Sequence, residues 1–202
     1  MASELIEAIE AQDGDRVASL VAAQPELAED RNESGVSALM YAHYYGVDST
    51  PIRAARRSPL DVFEAATVGD IDRLRELLDE DPELARARSV DAGTALHFAA
   101  FFGQSAAANF LLERGADPHA VSATFGGVTP LHSAAAARNR ETVRALLAAG
   151  ADPNARQQGG FTAIHAAAQN GELEMLDDLL AAGADATAST DDGRVAADFA
   201  GV

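Results

Sequence analysis

Three blocks of similar sequence recur at a nearly constant distance, and this repetition restricts the chain to folds built by stacking copies of one small unit. The blocks are GTALHFAAFFG (93–103), GVTPLHSAAAAR (127–138) and GFTAIHAAAQNG (160–171). Thr94 and Thr129 are 35 residues apart, and Thr129 and Thr162 are 33 apart. A period of about 20–50 residues is typical of solenoids, in which each unit buries its apolar face against its neighbours.

Each block is followed at a constant distance by a leucine pair and then by Gly-Ala-Asp. The threonine stands where its side chain can cap a first helix, and Pro130 fits the first turn of that helix. The leucines fall on a second helix, and Gly-Ala-Asp turns the chain outwards. The predicted unit is therefore helix, turn, helix and loop. The leucine pairs are Leu111-Leu112, Leu146-Leu147 and Leu179-Leu180, and the tripeptides begin at Gly115, Gly150 and Gly183.

These blocks resemble ankyrin repeats, with the T-P-L-H signature intact at 129–132 and relaxed elsewhere. The strong resemblance covers about residues 89–187. It implies an all-α fold: an ankyrin-repeat solenoid of about six helix-turn-helix units joined by short β-hairpin loops, in a single elongated domain. The weaker units before residue 89 resemble the irregular N-terminal half of a group of bacterial ankyrin-repeat proteins.

We predict that residues 1–202 form one array with an irregular first half. Arg138 stands where other repeats have glycine, which predicts either a strained positive φ or a turn rebuilt around Asn139. Pro51 and Pro59 bracket a segment too short for a full second helix. The predicted parts are a capping-type helical pair (1–33), a truncated repeat (34–58), a repeat lacking a hairpin (59–91), three regular repeats (92–125, 126–158 and 159–191) and a partial terminal repeat (192–202).

The charge balance bears on the class of partner. A net charge of -17 opposes direct binding to nucleic acids or anionic membranes, which carry the same sign. One basic cluster, Arg53, Arg56 and Arg57, is interpreted as a solvated helix end. The acidic N-terminus is unlike a signal peptide, and no apolar stretch approaches about 20 residues, so we expect a cytoplasmic protein. All fifteen basic residues are arginine, which suggests a GC-rich bacterial genome.

The sequence favours no catalytic or metal-binding chemistry. His97, His132 and His165 recur once per repeat, but stacked helices lie about 8–10 Å apart, whereas Zn–N bonds are about 2 Å. The resemblance implies instead that this histidine joins the hydrogen bonds that fix the adjacent hairpin. Cysteine is absent, and neither G-x-S-x-G nor G-x-x-x-x-G-K occurs. We therefore expect no enzyme activity, no cofactor and no metal.

The resemblance also implies a binding surface. In the pattern L-H-x-A-A-x-x-G, the x positions of ankyrin repeats line the concave face, where such arrays commonly bind partners. Aromatic side chains fill these positions in two units, and exposed aromatic residues are typical of recognition surfaces. The alternative is that some of the rings pack against the irregular segment around 47–60. The candidate protein-binding residues are Tyr41, Tyr44, Tyr45, Glu64, Val68, Phe98, Phe101, Phe102, Phe125, Phe161 and Gln169.

These observations predict a protein-binding module of adaptor or inhibitor type, whose partner is a protein with a basic or mixed surface. A second hypothesis is an acidic cap or stabilising subunit that masks a basic, nucleic-acid-binding surface; removing acids rather than aromatics would then abolish binding. A third, an enzyme or small-ligand protein, predicts a closed pocket with converging polar groups. We expect a monomer, and self-association of the aromatic face into a homodimer is the remaining alternative.

Overall fold

The computed structural model describes residues 3–200, so the outermost residues of the predicted end segments 1–33 and 192–202 lie outside the description. By their contacts, the residues cluster into two compact units, Met1–Glu64 (unit 1) and Ala65–Val202 (unit 2). Between residues 3 and 200 the secondary structure is α-helix and 3₁₀ helix with isolated antiparallel bridges. The fold is the expected all-α arrangement of short helices.

Four short α-helices and one 3₁₀ helix lie within unit 1. Ser3 and Asp13 cap the first two helices by accepting hydrogen bonds from the backbone N–H groups of Ile6 (3.3 Å) and Arg16 (3.0 Å). Gly46 ends the third helix with a φ of +67°, a conformation that glycine adopts without strain. The helices are α1 (Glu4–Glu10), α2 (Gly14–Ala23), a 3₁₀ helix (Pro25–Glu29), α3 (Ala38–Tyr45) and α4 (Thr50–Ala55).

The short helix α4 agrees with the truncation expected from the two prolines. Pro51 occupies its first turn, and the helix lasts only six residues. Ile52 is its buried anchor, and it joins a core built from α1, α2 and α3. The other large members of this core are Leu5, Ile6, Ile9, Val17, Val21 and Leu39.

Unit 2 is a run of helix pairs, and its first helix, α5 (Val62–Val68), crosses the boundary between the two units. Leu111, Leu146 and Leu179 are fully buried on the second helices of successive pairs, as the leucine pattern predicts, and α6 buries Leu74 and Leu78. Several alanines on the first helices of these pairs are also buried. The further helices are α6 (Ile71–Glu80), a 3₁₀ helix (Pro82–Arg86), α7 (Ala95–Phe101), α8 (Ser105–Glu113), α9 (Pro130–Ala136), α10 (Arg140–Ala148), a 3₁₀ helix (Gln158–Gly160), α11 (Ala163–Gln169), α12 (Leu173–Ala181) and a 3₁₀ helix (Ala196–Phe199).

The loops between helix pairs in unit 2 form four adjacent fingers, at 88–93, 121–128, 156–161 and 189–195. The expected β-hairpins are reduced to single antiparallel bridges, such as Ser122 with Val128, or to one turn hydrogen bond, such as Ser89 N–H to the Gly93 carbonyl (2.9 Å). Neighbouring fingers are joined directly, because the Gln158 N–H donates to the Gly126 carbonyl at 2.6 Å. The fingers therefore form a hydrogen-bonded row.

The recurring histidines hold the fingers to the helices. His97 Nδ1 accepts from the backbone N–H of Thr94 (3.2 Å), which leaves Nε2 to donate to the Val128 carbonyl of the next finger (3.1 Å). His132 makes the same pair of contacts with Thr129 and Phe161. Burial lowers the pKa of His97 to about 4 and also lowers that of His132, because the charged imidazolium is poorly solvated there.

Arg138 adopts the strained alternative of the two predicted from sequence. Its φ is +58°, close to the +75° of Gly103 and the +69° of Gly171 at the same place in the other repeats. Asn139 follows as the cap of α10 and accepts from the N–H of Thr142 at 3.2 Å. The arginine thus takes a left-handed conformation that costs an L-residue about 1–2 kcal/mol.

Candidate protein-binding surfaces

The tyrosines of the predicted binding face lie on α3 of unit 1, and all three are half-buried. The Tyr41 hydroxyl donates to the Glu10 carboxylate (2.8 Å), and the hydroxyl oxygens of Tyr41 and Tyr45 are 3.2 Å apart. The ring centroids of Tyr41 and Tyr45 are 4.8 Å apart. Burial raises the pKa of Tyr41 above its ordinary value, and hydrogen bonds to Tyr45 and Glu10 act in the same direction. Much of the polar and apolar surface of Tyr41 and Tyr45 is therefore used inside unit 1.

Two further candidates are buried, which corrects the sequence-based assignment. Glu64 is 1% exposed and forms an ion pair with Arg56 at 2.8 Å. Phe98 is 2% exposed, and its ring lies over Gly93, where a Cβ atom would stand 2.9 Å from Cζ. Both residues occupy the first x of the repeat pattern, and Ser133, the equivalent residue of the next repeat, is also buried. In these three repeats the side chain at the first x position is therefore buried.

Phe101 and Phe102, at the end of α7, retain the exposure that Phe98 lacks. Phe101 is 46% exposed and Phe102 is half-buried. Their rings meet edge to face, with centroids 5.1 Å apart. Such an arrangement fixes the exposed ring of Phe101 against its neighbour, so less side-chain entropy is lost when a partner covers it.

An apolar patch of which only Phe125 is predicted from the sequence lies on the first two fingers of unit 2. We define the finger patch as Val90, Val121 and Phe125, all more than 40% exposed. The two fingers are adjacent, because an Arg88 guanidinium N–H donates to the Val121 carbonyl (2.7 Å) and the Ser122 hydroxyl donates to the Asp91 carbonyl (3.2 Å). Phe125 was a candidate; the signal for Val90 was an apolar residue inside the turn sequence SVDAG.

Phe161 is mainly a packing residue in unit 2. Its ring centroid lies 5.6 Å from that of His165 and 5.4 Å from that of Phe199, and the latter two rings are 5.7 Å apart. The three rings close the last helix pair around the terminal 3₁₀ helix. Phe161 is half-buried in this cluster, so it contributes little free surface.

The last two candidates lie at helix ends. Val68 is the half-buried final residue of α5, and Gln169 is the exposed final residue of α11. Within unit 2, the predicted residues that remain well exposed are therefore Phe101, Phe125 and Gln169.

The repeat geometry of unit 2 is matched by known families. A model of three ankyrin-repeat copies matches residues 120–190, and the single ankyrin-repeat model matches residues 93–123. Residues 93–190 are ankyrin repeats. The threonine caps, the histidine bonds to the next finger and the buried leucines are thus the structural counterparts of the resemblance in the sequence.

The segments that match this chain are parts of longer proteins. A probable rice E3 ubiquitin-protein ligase, XBOS31 (Oryza sativa subsp. japonica), is 44% identical over 46% of this chain and 20% of its own length. The ankyrin repeat and SAM domain-containing protein 6 of rat is 35% identical over 50% of this chain and 11% of its own. The fruit-fly palmitoyltransferase Hip14 is 35% identical over 49% of this chain and 15% of its own length. These relatives are eukaryotic and do not support the expected bacterial resemblance.

The similarity to these relatives is no evidence for an enzymatic activity of this chain, because the chain spans a fifth or less of their length. Ankyrin repeats are typically non-enzymatic binding modules. Among residues 3–200, no three His, Cys, Asp or Glu side chains are grouped where they could hold a metal ion. No helix within the described range is long and apolar enough to cross a membrane.

One cavity of about 330 Å³ lies beside the first finger, and Arg86 and Arg88 form part of its lining. Arg86 Nε donates to the Gly115 carbonyl at 3.1 Å, and an Arg88 guanidinium N–H donates to the Val121 carbonyl. These donors join one repeat to the next. The cavity is therefore better explained by the stacking of the ankyrin repeats than by a converging set of catalytic groups.

Proposed function

We propose that this protein is an adaptor or inhibitor that binds a protein partner through unit 2, using the finger patch together with Phe101. The supporting observation is the distribution of exposed apolar surface. Six large apolar side chains are 42–72% exposed among residues 3–200, and all six lie in unit 2. Four of them, Val90, Phe101, Val121 and Phe125, lie on the fingers and on the first helix of a repeat.

The placement of these residues suits recognition. The two fingers that carry the finger patch are joined by hydrogen bonds from the Arg88 and Ser122 side chains to backbone carbonyls, so the patch stands on a preorganised framework. Phe101 lies at the far end of α7 from Thr94, about 10 Å along the helix axis. A partner that touched both places would cover the length of an ankyrin inner helix, and the exposed aromatic rings would contribute most of the affinity.

The test is an affinity capture from lysate of the source cells, analysed by mass spectrometry. The variant Val90→Ser/Phe101→Ser/Phe125→Ser is compared with wild type after both are shown to unfold at the same temperature. We expect a partner that wild type retains and the variant loses. The control variant Leu173→Ser/Leu180→Ser removes equally exposed apolar surface from α12 and should retain the same partner.

A third variant distinguishes the acidic-cap hypothesis from binding through the finger patch. Glu80→Gln/Glu83→Gln/Glu113→Gln removes three exposed acids from unit 2 without touching the apolar patch. Loss of the partner in this variant, with retention by the patch variant, would reject the proposed surface and favour an acidic cap over a basic partner surface. A wild-type dimer in sizing chromatography that the patch variant lacks would instead indicate self-association.

A further inference from the structure

The second helix of the last full repeat, α12, carries a row of exposed leucines. Leu173 is 72% exposed and Leu180 is 44% exposed, and the half-buried Leu176 lies between them. Residues spaced by three and four positions lie on one helix face. A group of exposed apolar side chains on one helix face is typical of an interaction site.

The preceding repeat shows what usually covers this face. Leu147, on α10, is the residue equivalent to Leu180 and is half-buried, and α12 packs on α10. At that interface Arg140 of α10 reaches forward to two carboxylates of α12. Its guanidinium donates to Asp178 at 2.5 and 3.2 Å and pairs with Glu174. Apolar contact and arginine–acid pairs therefore bind one outer helix to the next.

The face of α12 turned away from α10 has no such cover within residues 3–200. After α12 the chain forms the last finger and the 3₁₀ helix Ala196–Phe199, which packs on α11. Glu174 and Asp178 pair with Arg140, whose positive charge also acts on Asp177, and the exposed surface of α12 presents Leu173, Asp177 and Leu180. This set is defined here as the α12 face.

The charges of the α12 face indicate the chemistry of its occupant. Helix α12 carries three acids and no basic residue. Asp177 is exposed and stands between the two leucines, where a basic side chain would pair with it as Arg140 pairs with Asp178. A second copy of this chain fits poorly, because antiparallel pairing about a two-fold axis would bring the two Asp177 carboxylates together.

We propose that the α12 face binds a basic amphipathic helix of a second protein, distinct from the partner of the finger patch, placed where the second helix of a further repeat would lie. Apolar side chains of that helix cover Leu173 and Leu180, and a lysine or arginine between them pairs with Asp177. The site is separate from the finger patch and does not depend on it.

The probe is a display library of helical peptides about 18 residues long, with the positions of one face randomised. Peptides are selected on wild-type protein and counter-selected on Leu173→Ser/Leu180→Ser. Enriched peptides should carry apolar residues seven positions apart with a basic residue between them. In fluorescence anisotropy, the leucine variant should bind such a peptide at least about tenfold more weakly than wild type. Asp177→Asn should weaken binding and reduce its salt dependence.

The control variant Val90→Ser/Val121→Ser removes exposed apolar surface elsewhere in unit 2 and should bind the peptide as wild type does. The proposal is overturned if no peptide distinguishes wild type from the leucine variant, or if selected peptides lack basic residues. A concentration-dependent dimer in sedimentation analysis that the leucine variant loses would overturn it in favour of a second copy. Because the finger patch is intact in the leucine variant, each of these results leaves the proposed function standing.

Discussion

The guanidinium of Arg56 and the carboxylate of Glu64 form a two-pronged ion pair, with N–O distances of 2.8 and 3.1 Å. Both side chains are almost fully buried. Glu64 also accepts from the backbone N–H of Asp61 at 3.1 Å, and the Glu29 carboxylate lies 3.6 Å from Arg56 Nη2, one of the two nitrogens that bind Glu64. The pair therefore connects the residues after α4 to the start of α5.

Replacing Arg56 by methionine should destabilise the fold strongly. The change keeps most of the side-chain volume but leaves the Glu64 carboxylate buried without its counter-ion, and loss of one partner of a buried pair costs about 3–5 kcal/mol. Urea unfolding followed by circular dichroism measures the free energy of unfolding. The double change Arg56→Met/Glu64→Gln should recover part of the loss, because the remaining group is neutral.

The neighbouring Arg57→Met is the matched control, since it makes the same chemical and charge change at an exposed side chain. It should alter the free energy of unfolding by no more than about 0.5 kcal/mol. Equal free energies of unfolding for the Arg56 and Arg57 variants would show that solvent screens the Arg56–Glu64 ion pair and that the pair contributes little to stability.

The contact between Arg56 and Glu64 could not be predicted from the sequence, whereas other features could. The repeat period, the threonine caps and the buried leucines follow from local patterns, and the structure agrees with them. Arg56 and Glu64 are separated by a turn between two helices, so no helical spacing identifies them as partners. From the sequence alone, Arg56 is therefore predicted at a solvated helix end and Glu64 on a binding face.

The burial of Phe98 has a different cause. The repeat pattern groups Phe98 with Phe101, because both occupy variable positions of the same helix. The depth of each side chain depends on what lies opposite, and Phe98 fills space left by Gly93, which has no side chain. A helix pattern gives the direction of a residue, whereas its exposure is set by the neighbouring finger.

Gly93→Ala should destabilise unit 2 by about 1–3 kcal/mol. The new Cβ atom would lie 2.9 Å from Cζ and 3.3 Å from Cε2 of Phe98, whose ring is buried and has little room to move. Thermal unfolding of the variant measures the loss. Adding Phe98→Leu to Gly93→Ala should reduce the penalty below the sum of the two single changes, because the atoms in conflict are removed.

Gly14→Ala controls for the general effect of replacing glycine by alanine. Gly14 begins α2, and a Cβ atom there meets no other atom within 4 Å. This change should be neutral or slightly stabilising, since alanine favours helix over glycine. Two results would contradict this prediction: Gly93→Ala being as well tolerated as Gly14→Ala, or Phe98→Leu giving no rescue. Either would show that the close contact between Phe98 and Gly93 does not determine the stability of unit 2.

His97→Gln should make stability less dependent on pH in mildly acidic solution. The folded protein lowers the pKa of His97 from its ordinary 6.5 to about 4, chiefly through burial. Between these values the unfolded chain binds a proton that the folded protein does not, so the free energy of unfolding falls as pH falls. One such proton corresponds to about 1.4 kcal/mol per pH unit. Above pH 6.5 this contribution is fully present.

The measurement is urea unfolding of wild type and variant at intervals from pH 7 to pH 4.5, with the slopes of the free energy against pH compared rather than the absolute stabilities. The glutamine variant loses the hydrogen bond from Nε2 to the Val128 carbonyl and is less stable at every pH, but its slope should be shallower by about one proton. His132 and His165 are retained in both proteins, so their contributions cancel. His119→Gln, at an exposed loop histidine, is the matched control and should keep the wild-type slope. Identical slopes for the His97 variant and wild type would show that the buried imidazole is not the group linking folding of this repeat to pH.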